Sequence, residues 1–369
     1  MEEIGKKRLA AAGAAAAGLI YFFVCAFPLQ KELILVPAWT RNLAQAPVAP
    51  LPIRGLAGAS KSSKSPEASS SIPFRLGGSY GYFTAEGSLL FAATAAYGVA
   101  MAPDAFATYE RVSEGFSIKS PAGVELAKAS IAGYPFFAAG RRFVIGPDQS
   151  TVCELGRAGT AAWTYRFPSI VTAFDASPTL AAFGLMDGSV VGLDRSGVEK
   201  LNFAPGGSRI PGVYGVAVAP DGLMVAAITG LGNQRLVVME KRSAAYRVAY
   251  HRYLSSDYRR PVYIAFTPDG GELAYEAPEG VGVYDRATRS ESLVSVPANS
   301  RLGLTLRKGG IMVLLSGEAE KKRLVCAALP DRRIVDVSFQ AREAFIETRD
   351  DSLFLGADQD IVRMDLQER

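Results

Sequence analysis

Between residues 212 and 286 one pattern is written twice, as GVYGVAVAPDGLMVAAI and again as RPVYIAFTPDGGELAYEA. Each copy alternates apolar with other residues, reaches a Pro-Asp-Gly step (Pro220-Asp221-Gly222, then Pro268-Asp269-Gly270) and resumes as a second β-rich run. Alternation at period two buries one face of a strand, and Pro-Asp-Gly presets a tight turn, so the repeated unit is a β-hairpin. Comparable turn markers stand at Ala85-Glu86-Gly87, Ala139-Gly140-Arg141, Ser177-Pro178-Thr179, Lys308-Gly309-Gly310 and Arg349-Asp350-Asp351. Their spacing of roughly 40 residues, exceeded in the first interval, predicts an all-β fold: a β-propeller of about seven four-stranded blades. Strand-like text in that first interval, EGFSIKSPAGVELAKAS, leaves room for an eighth.

The last repeat ends with length for only about three strands. A strand from the N-terminal side of the domain, expected within residues 71–77, would complete it and tie the ring together, removing its open edges.

Ahead of the repeats lies a different kind of sequence. Residues 9–27 carry no charge and follow Lys6, Lys7 and Arg8. As a helix this run is about 28 Å long, matching the hydrocarbon core of a bilayer. Its length, and the lack of a nearby cleavage site, predict an uncleaved signal anchor. The basic residues before it keep a cytoplasmic tail, residues 1–8, inside and export the rest. The expected location is therefore the inner membrane, single-pass, with a periplasmic C-terminal domain. Residues 28–73, rich in Ala, Pro and Ser, read as a linker, and the stretch 41–72 as a flexible coil would span roughly 30 Å. The propeller is expected to occupy residues 74–369.

Charge narrows the partners. The formal net charge is +4; residues 1–8 contribute +1 and residues 28–73 contribute +3, which leaves the domain from residue 74 onward neutral. A nucleic-acid binder concentrates positive charge on its folded face, so that class is set aside. Of the cysteines, Cys25 falls in the apolar run, and Cys153 and Cys326 are read as small buried hydrophobes with no metal spacing between them.

The stretch FTPDGGELAYEAPEGVGVYDRATR resembles the WD40-like repeat of the TolB type, through Phe266, Pro268, Asp269, Gly270, Tyr284 and Asp285. MDGSVVGLDRSGVEKLNF instead resembles the repeat of quinoprotein-like and outer-membrane-assembly propellers, through Asp187-Gly188, Leu193-Asp194 and Gly197. That repeat ends in tryptophan where this chain has Asn202-Phe203, although Trp163 stands at about the matching place one repeat earlier. The resemblance covers most of residues 79–366 and implies the fold but no particular function.

Catalytic groups are sparse. His251 is the single histidine, which removes His-rich metal sites and leaves one residue for any Ser-His-Asp arrangement. Asp187, Asp194, Asp221, Asp269 and Asp285 recur at turn positions, as residues bonding their own backbone would. No catalytic residue, cofactor site or metal site is assigned. The one chemically loaded tract is YRVAYHRYLSSDYRRPVY, with Tyr246, Arg247, Tyr250, His251, Arg252, Tyr253, Tyr258, Arg259 and Arg260 as a candidate interaction surface. Strand alternation puts Tyr246, Val248 and Tyr250 on one side and Arg247, Ala249, His251 and Tyr253 on the other. Such a surface either grips an acidic partner or stacks on sugar rings, and amphipathic packing alone also accounts for it.

The expected function is a non-enzymatic, membrane-anchored periplasmic propeller serving as a protein-interaction platform in an envelope assembly, with an envelope or membrane protein as partner. The alternatives are a ligand-binding propeller, or one that binds peptidoglycan or another anionic glycan, and a hydrolase or quinone-dependent enzyme with its site in the central channel.

Overall fold

The computed structural model describes residues 13, 21, 33–48, 71–111, 113–296, 301–307 and 309–368. These form eight antiparallel sheets, seven of four strands and one of three. The sheets follow one another as the blades of a ring: blade 1 (residues 71–94), blade 2 (98–129), blade 3 (134–166), blade 4 (171–203), blade 5 (210–253), blade 6 (264–295), blade 7 (301–340) and blade 8 (344–368 with 33–42). The fold is the expected all-β propeller, and blade 2 occupies the long first interval between turn markers. The expected cytoplasmic tail and membrane anchor lie outside the described residues, apart from Gly13 and Tyr21. Among the described residues no helix is long and apolar enough to cross a membrane.

The apolar face of each strand meets the next blade, so the cores lie between blades. Phe136 of blade 3 meets Phe174 of blade 4 edge-on at 4.3 Å. The seam between blades 5 and 6 buries Ala217, Ile228, Leu236, Val238, Leu273, Tyr275 and Tyr284. The two Pro-Asp-Gly turns do what their sequence predicts: Gly222 and Gly270 take φ of +69° and +73°, and their N–H groups donate to Ala219 and Thr267 carbonyls at 2.8 Å. Cys153 and Cys326 are buried and unpaired, and burial raises both thiols.

Ring closure departs from expectation. The fourth strand of blade 8 is Leu33–Asn42, antiparallel to Asp360–Glu368, with Leu33 opposite Glu368 and Asn42 opposite Asp360. Part of the stretch expected to be linker is thus a strand of the ring. Its sequence, LILVPAWTRN, has the apolar content to be one, and Pro37 is accommodated because the strand is outermost and its register slips between Pro37 and Trp39. Trp39 locks the closure onto blade 1. Its Nε1 donates to the Ala85 carbonyl at 3.0 Å, and its ring meets Phe83 and Phe354 at 6.2 and 6.0 Å.

Ser71–Leu76, expected to be the closing strand, is instead the inner strand of blade 1. It also runs backwards relative to its neighbours. Its first residue, Ser71, accepts from Arg349 at the end of the inner strand of blade 8 (3.1 Å) and donates to Pro103 at the first turn of blade 2 (2.7 Å). Farther along, Arg75 donates to the carbonyl of Val99, which lies at the start of the inner strand of blade 2. An inner strand reversed in this way needs an odd number of strands to return the chain to the correct side for blade 2. Blade 1 has three.

Candidate interaction surface

The tract nominated from the sequence is the outer strand of blade 5, Ala245–Tyr253, with the connector that follows it to blade 6. Pairing with Arg235–Arg242 places Val248 opposite Met239 and Tyr250 opposite Val238, so Ala249 is an extra residue, a β-bulge. Strict alternation is broken there. Tyr246 lies against the core between blades 4 and 5, where its hydroxyl donates to the Gly222 carbonyl at 2.5 Å and burial pushes it to about 12. Tyr250 lies against the opposite core, its ring 4.7 Å from Tyr284. The expected grouping of Tyr246, Val248 and Tyr250 on one side is therefore corrected: Val248 and His251 share the Tyr246 side, and Arg247 and Arg252 share that of Tyr250.

Much of the polar chemistry in this tract is turned inward. Glu291 of blade 6 receives the Tyr250 hydroxyl at 2.9 Å and an ion pair from Arg252. Burial, with the hydrogen bond to Glu291, drives Tyr250 to about 12. Arg260 forks onto Glu276 through two bonds of 3.0 and 2.5 Å, and the Glu276 side chain is 2% exposed. Arg260 also covers the ring of Tyr258 at 4.7 Å. The connector is held by Gln234, fully buried, whose amide donates to the Tyr258 carbonyl at 2.7 Å and accepts from its N–H at 3.1 Å. Glu291, Glu276 and Gln234 had no distinguishing mark in the sequence, because Glu291 and Glu276 lie in strands of blade 6 and Gln234 in the turn ahead of Arg235–Arg242, and each becomes a partner only once the chain is folded. Tyr250→Phe is expected to cost about 1 kcal/mol in urea unfolding, the loss of one hydrogen bond to a charged acceptor that keeps its arginine.

What is left facing solvent is narrower than the nine residues nominated. Arg247 and His251 are exposed, and their side chains make no hydrogen bond or ion pair to the described residues. Tyr253 is 53% exposed and has the guanidinium of Arg235 5.7 Å from its ring centre, while Val248 is 41% exposed. Arg259 is exposed beside Asp257 at 3.8 Å. Val248, His251 and Tyr253 make a stripe along one face of this outer strand, while Arg247 is exposed on its other face and Arg259 on the connector. Such a stripe suits contact with another surface.

The recurrent aspartates are turn residues. Asp187, Asp194, Asp221, Asp269 and Asp285 accept the backbone N–H of Ser189, Ser196, Leu223, Gly271 and Thr288 at 2.8 to 3.1 Å. The Thr267 hydroxyl holds Asp269 below the ordinary carboxylate range, and the Thr288 N–H does the same for Asp285. Asp221 of the first repeat copy also takes Arg286 of the second at 2.7 Å, bolting blade 5 to blade 6.

Two clefts were not foreseen. One of 560 Å³ lies at blade 3 among Ile131, Val144, Asp148, Cys153 and Thr164. Another of 510 Å³ lies between blades 1 and 2 among Tyr80, Thr94, Tyr109, Glu110 and Glu114. Among the described residues no group of three or more His, Cys, Asp or Glu side chains is placed to hold a metal.

Comparison with known proteins agrees with this geometry. An uncharacterised protein of Treponema pallidum (strain Nichols) is 27% identical over 349 residues, 94% of this chain and 91% of that one. The crystal structure of BamB from Moraxella catarrhalis superposes with a TM-score of 0.58 at 13% identity, over 90% of this chain and all of that one. The computationally designed Ika8 protein superposes with the same TM-score at 16% identity, over 79% of this chain and 91% of its own. At such identities the two structures speak for the fold. A family model described as beta-propeller protein matches residues 1–369, and the chain belongs to that β-propeller family.

Proposed function

We propose that this chain is a non-enzymatic protein-interaction platform, anchored in the inner membrane through residues 9–27 and presenting its propeller in the periplasm as part of an envelope assembly. The observation that carries the reading is the contrast within the ring. Its inward-turned carboxylates and arginines bond one another, while Val248, His251 and Tyr253 are exposed along one face of the outer strand of blade 5, with Arg247 exposed on its other face. A rim aromatic above an arginine, flanked by basic groups, contacts a protein surface without needing a cofactor. The uncharged run after a basic cluster supports the anchor and its direction.

The test is a photocrosslinking residue placed at Tyr253 in the full chain in its native cells, with Thr160 on blade 3 as control. A discrete protein adduct at position 253 and none at 160 is the expected result. Equal labelling at both, or none at either, argues against this rim. Arg247→Ala and Tyr253→Ala should reduce the adduct several-fold while leaving stability within about 0.5 kcal/mol, as surface changes do. Loss of retention on cell-wall material in the same variants, with no protein adduct, would move the reading to a glycan ligand.

A further inference from the structure

The closing strand changes what the anchor can do. The uncharged run ends at Phe27 and the first paired residue of the propeller is Leu33, opposite Glu368. Only residues 28–32 lie between them. A fully extended chain advances at most about 3.5 Å per residue, so the tether reaches about 20 Å. A free linker running to residue 73 would have allowed the ring to wander several times farther. Leu33 and Leu35 pack with Ile311, Val313, Leu324 and Leu353, so the tether leaves the ring at the seam of blades 7 and 8.

We infer that the propeller is seated at the membrane, with the rim of blades 7 and 8 within about 20 Å of the lipid headgroups, and that its partner is a protein of the same membrane. This rests on the anchored reading given above. A folded domain of this length has a radius of gyration of about 20 Å, so the whole ring stays within a shell roughly 70 Å deep. A component fixed beyond that shell is out of reach. Two proteins confined to one thin layer meet at high effective concentration, so a narrow, largely polar contact suffices. The exposed stripe on blade 5 is of that kind, and it lies three blades around the ring from the tether, clear of the anchor.

The experiment uses the full chain with Cys25→Ser, reconstituted in phosphatidylethanolamine and phosphatidylglycerol vesicles. A donor dye is attached at Gln367→Cys, an exposed position opposite Ile34, and an acceptor dye is carried on the headgroups. Strong energy transfer is expected, falling at least twofold when a 30-residue Gly-Ser spacer (about 30 Å as a coil) is inserted after Leu29. Equal transfer with and without the spacer, in chains that float with the vesicles, overturns the seating while leaving the anchor intact. A chain that does not float overturns the anchored reading itself. For the partner, the adduct formed from position 253 should stay in the inner-membrane fraction and weaken several-fold with the spacer. An adduct with a soluble or outer-membrane protein overturns the assignment.

Discussion

Removing the strand Leu33–Asn42 is expected to abolish the single cooperative unfolding transition of the propeller and to leave a chain that associates through blade 8. The strand supplies the outer edge of that blade, with Asp360–Glu368 as its partner along its whole length. Without it, Leu353, Phe354 and Ile361 lose part of their cover, and an unprotected edge replaces a paired one. Trp39→Ala is the milder form of the same change. It removes the indole that meets Phe83 and Phe354 and gives up the bond to Ala85. A loss of about 3–5 kcal/mol follows from the usual cost of truncating a large packed aromatic. Thr40→Ala, on the exposed side of the same strand, should be neutral. Urea unfolding followed by tryptophan-independent far-UV signal measures both. A Trp39→Ala chain as stable as the native one would mean that closure does not depend on this contact.

The second large effect is a fall in stability with rising pH, traced to two carboxylates on inner strands. Glu347 lies in Ala344–Arg349 of blade 8, opposite Phe354, and burial raises it from 4.5 to about 7. Asp175 lies in Val171–Ala176 of blade 4, and burial raises it from 3.8 to about 6 even though it accepts the Val218 N–H of blade 5 at 2.7 Å. Both folded values lie above the unfolded ones. Between about pH 4 and 7 the native chain therefore holds more protons than the unfolded chain, and stability declines across that window as pH rises. The contribution of each group is fully present below its unfolded value and is lost as pH climbs through its folded value. At pH 8 each ionised group costs on the order of 3 kcal/mol relative to pH 4. Glu347→Gln cannot ionise, so its stability should change less between pH 5 and 8 than that of the native chain, with Asp175→Asn adding to the flattening. Parallel pH profiles for native chain and variants would contradict this assignment.

The repeat architecture was legible because it is local. Pro220-Asp221-Gly222 and Pro268-Asp269-Gly270 make the turns their residues demand, whatever surrounds them. The blade count was harder to read because blade 1 breaks the pattern: its inner strand is reversed, and it has three strands joined by the turns at Gly77-Gly78 and Ala85-Glu86-Gly87. The closing strand was missed for a composition reason. Ala, Pro and Ser dominate the region after the apolar run, and the apolar residues Leu33 to Val36 were averaged into it. The facing of Tyr246 and Tyr250 could not be read from their own strand, since the bulge at Ala249 exists only in relation to the strand it pairs with. Asp175 carried a visible signal that went unread, a single acid in an otherwise uncharged strand, whereas Glu347 shares its strand with Arg349 and reads as an ordinary charged pair.

Closure by Leu33–Asn42 also sets an order of events during synthesis. That strand is made before any blade, yet its partner, Asp360–Glu368, is made after all the others. The ring cannot shut until translation is nearly complete, and until then an apolar strand and seven growing blades coexist without their final lock. Contacts so distant along the chain form late and slowly. A chain of this design is exposed to misassociation for the whole of its synthesis. A strand made early that finds its place last is the element of this ring that most needs keeping apart from the same strand of neighbouring copies.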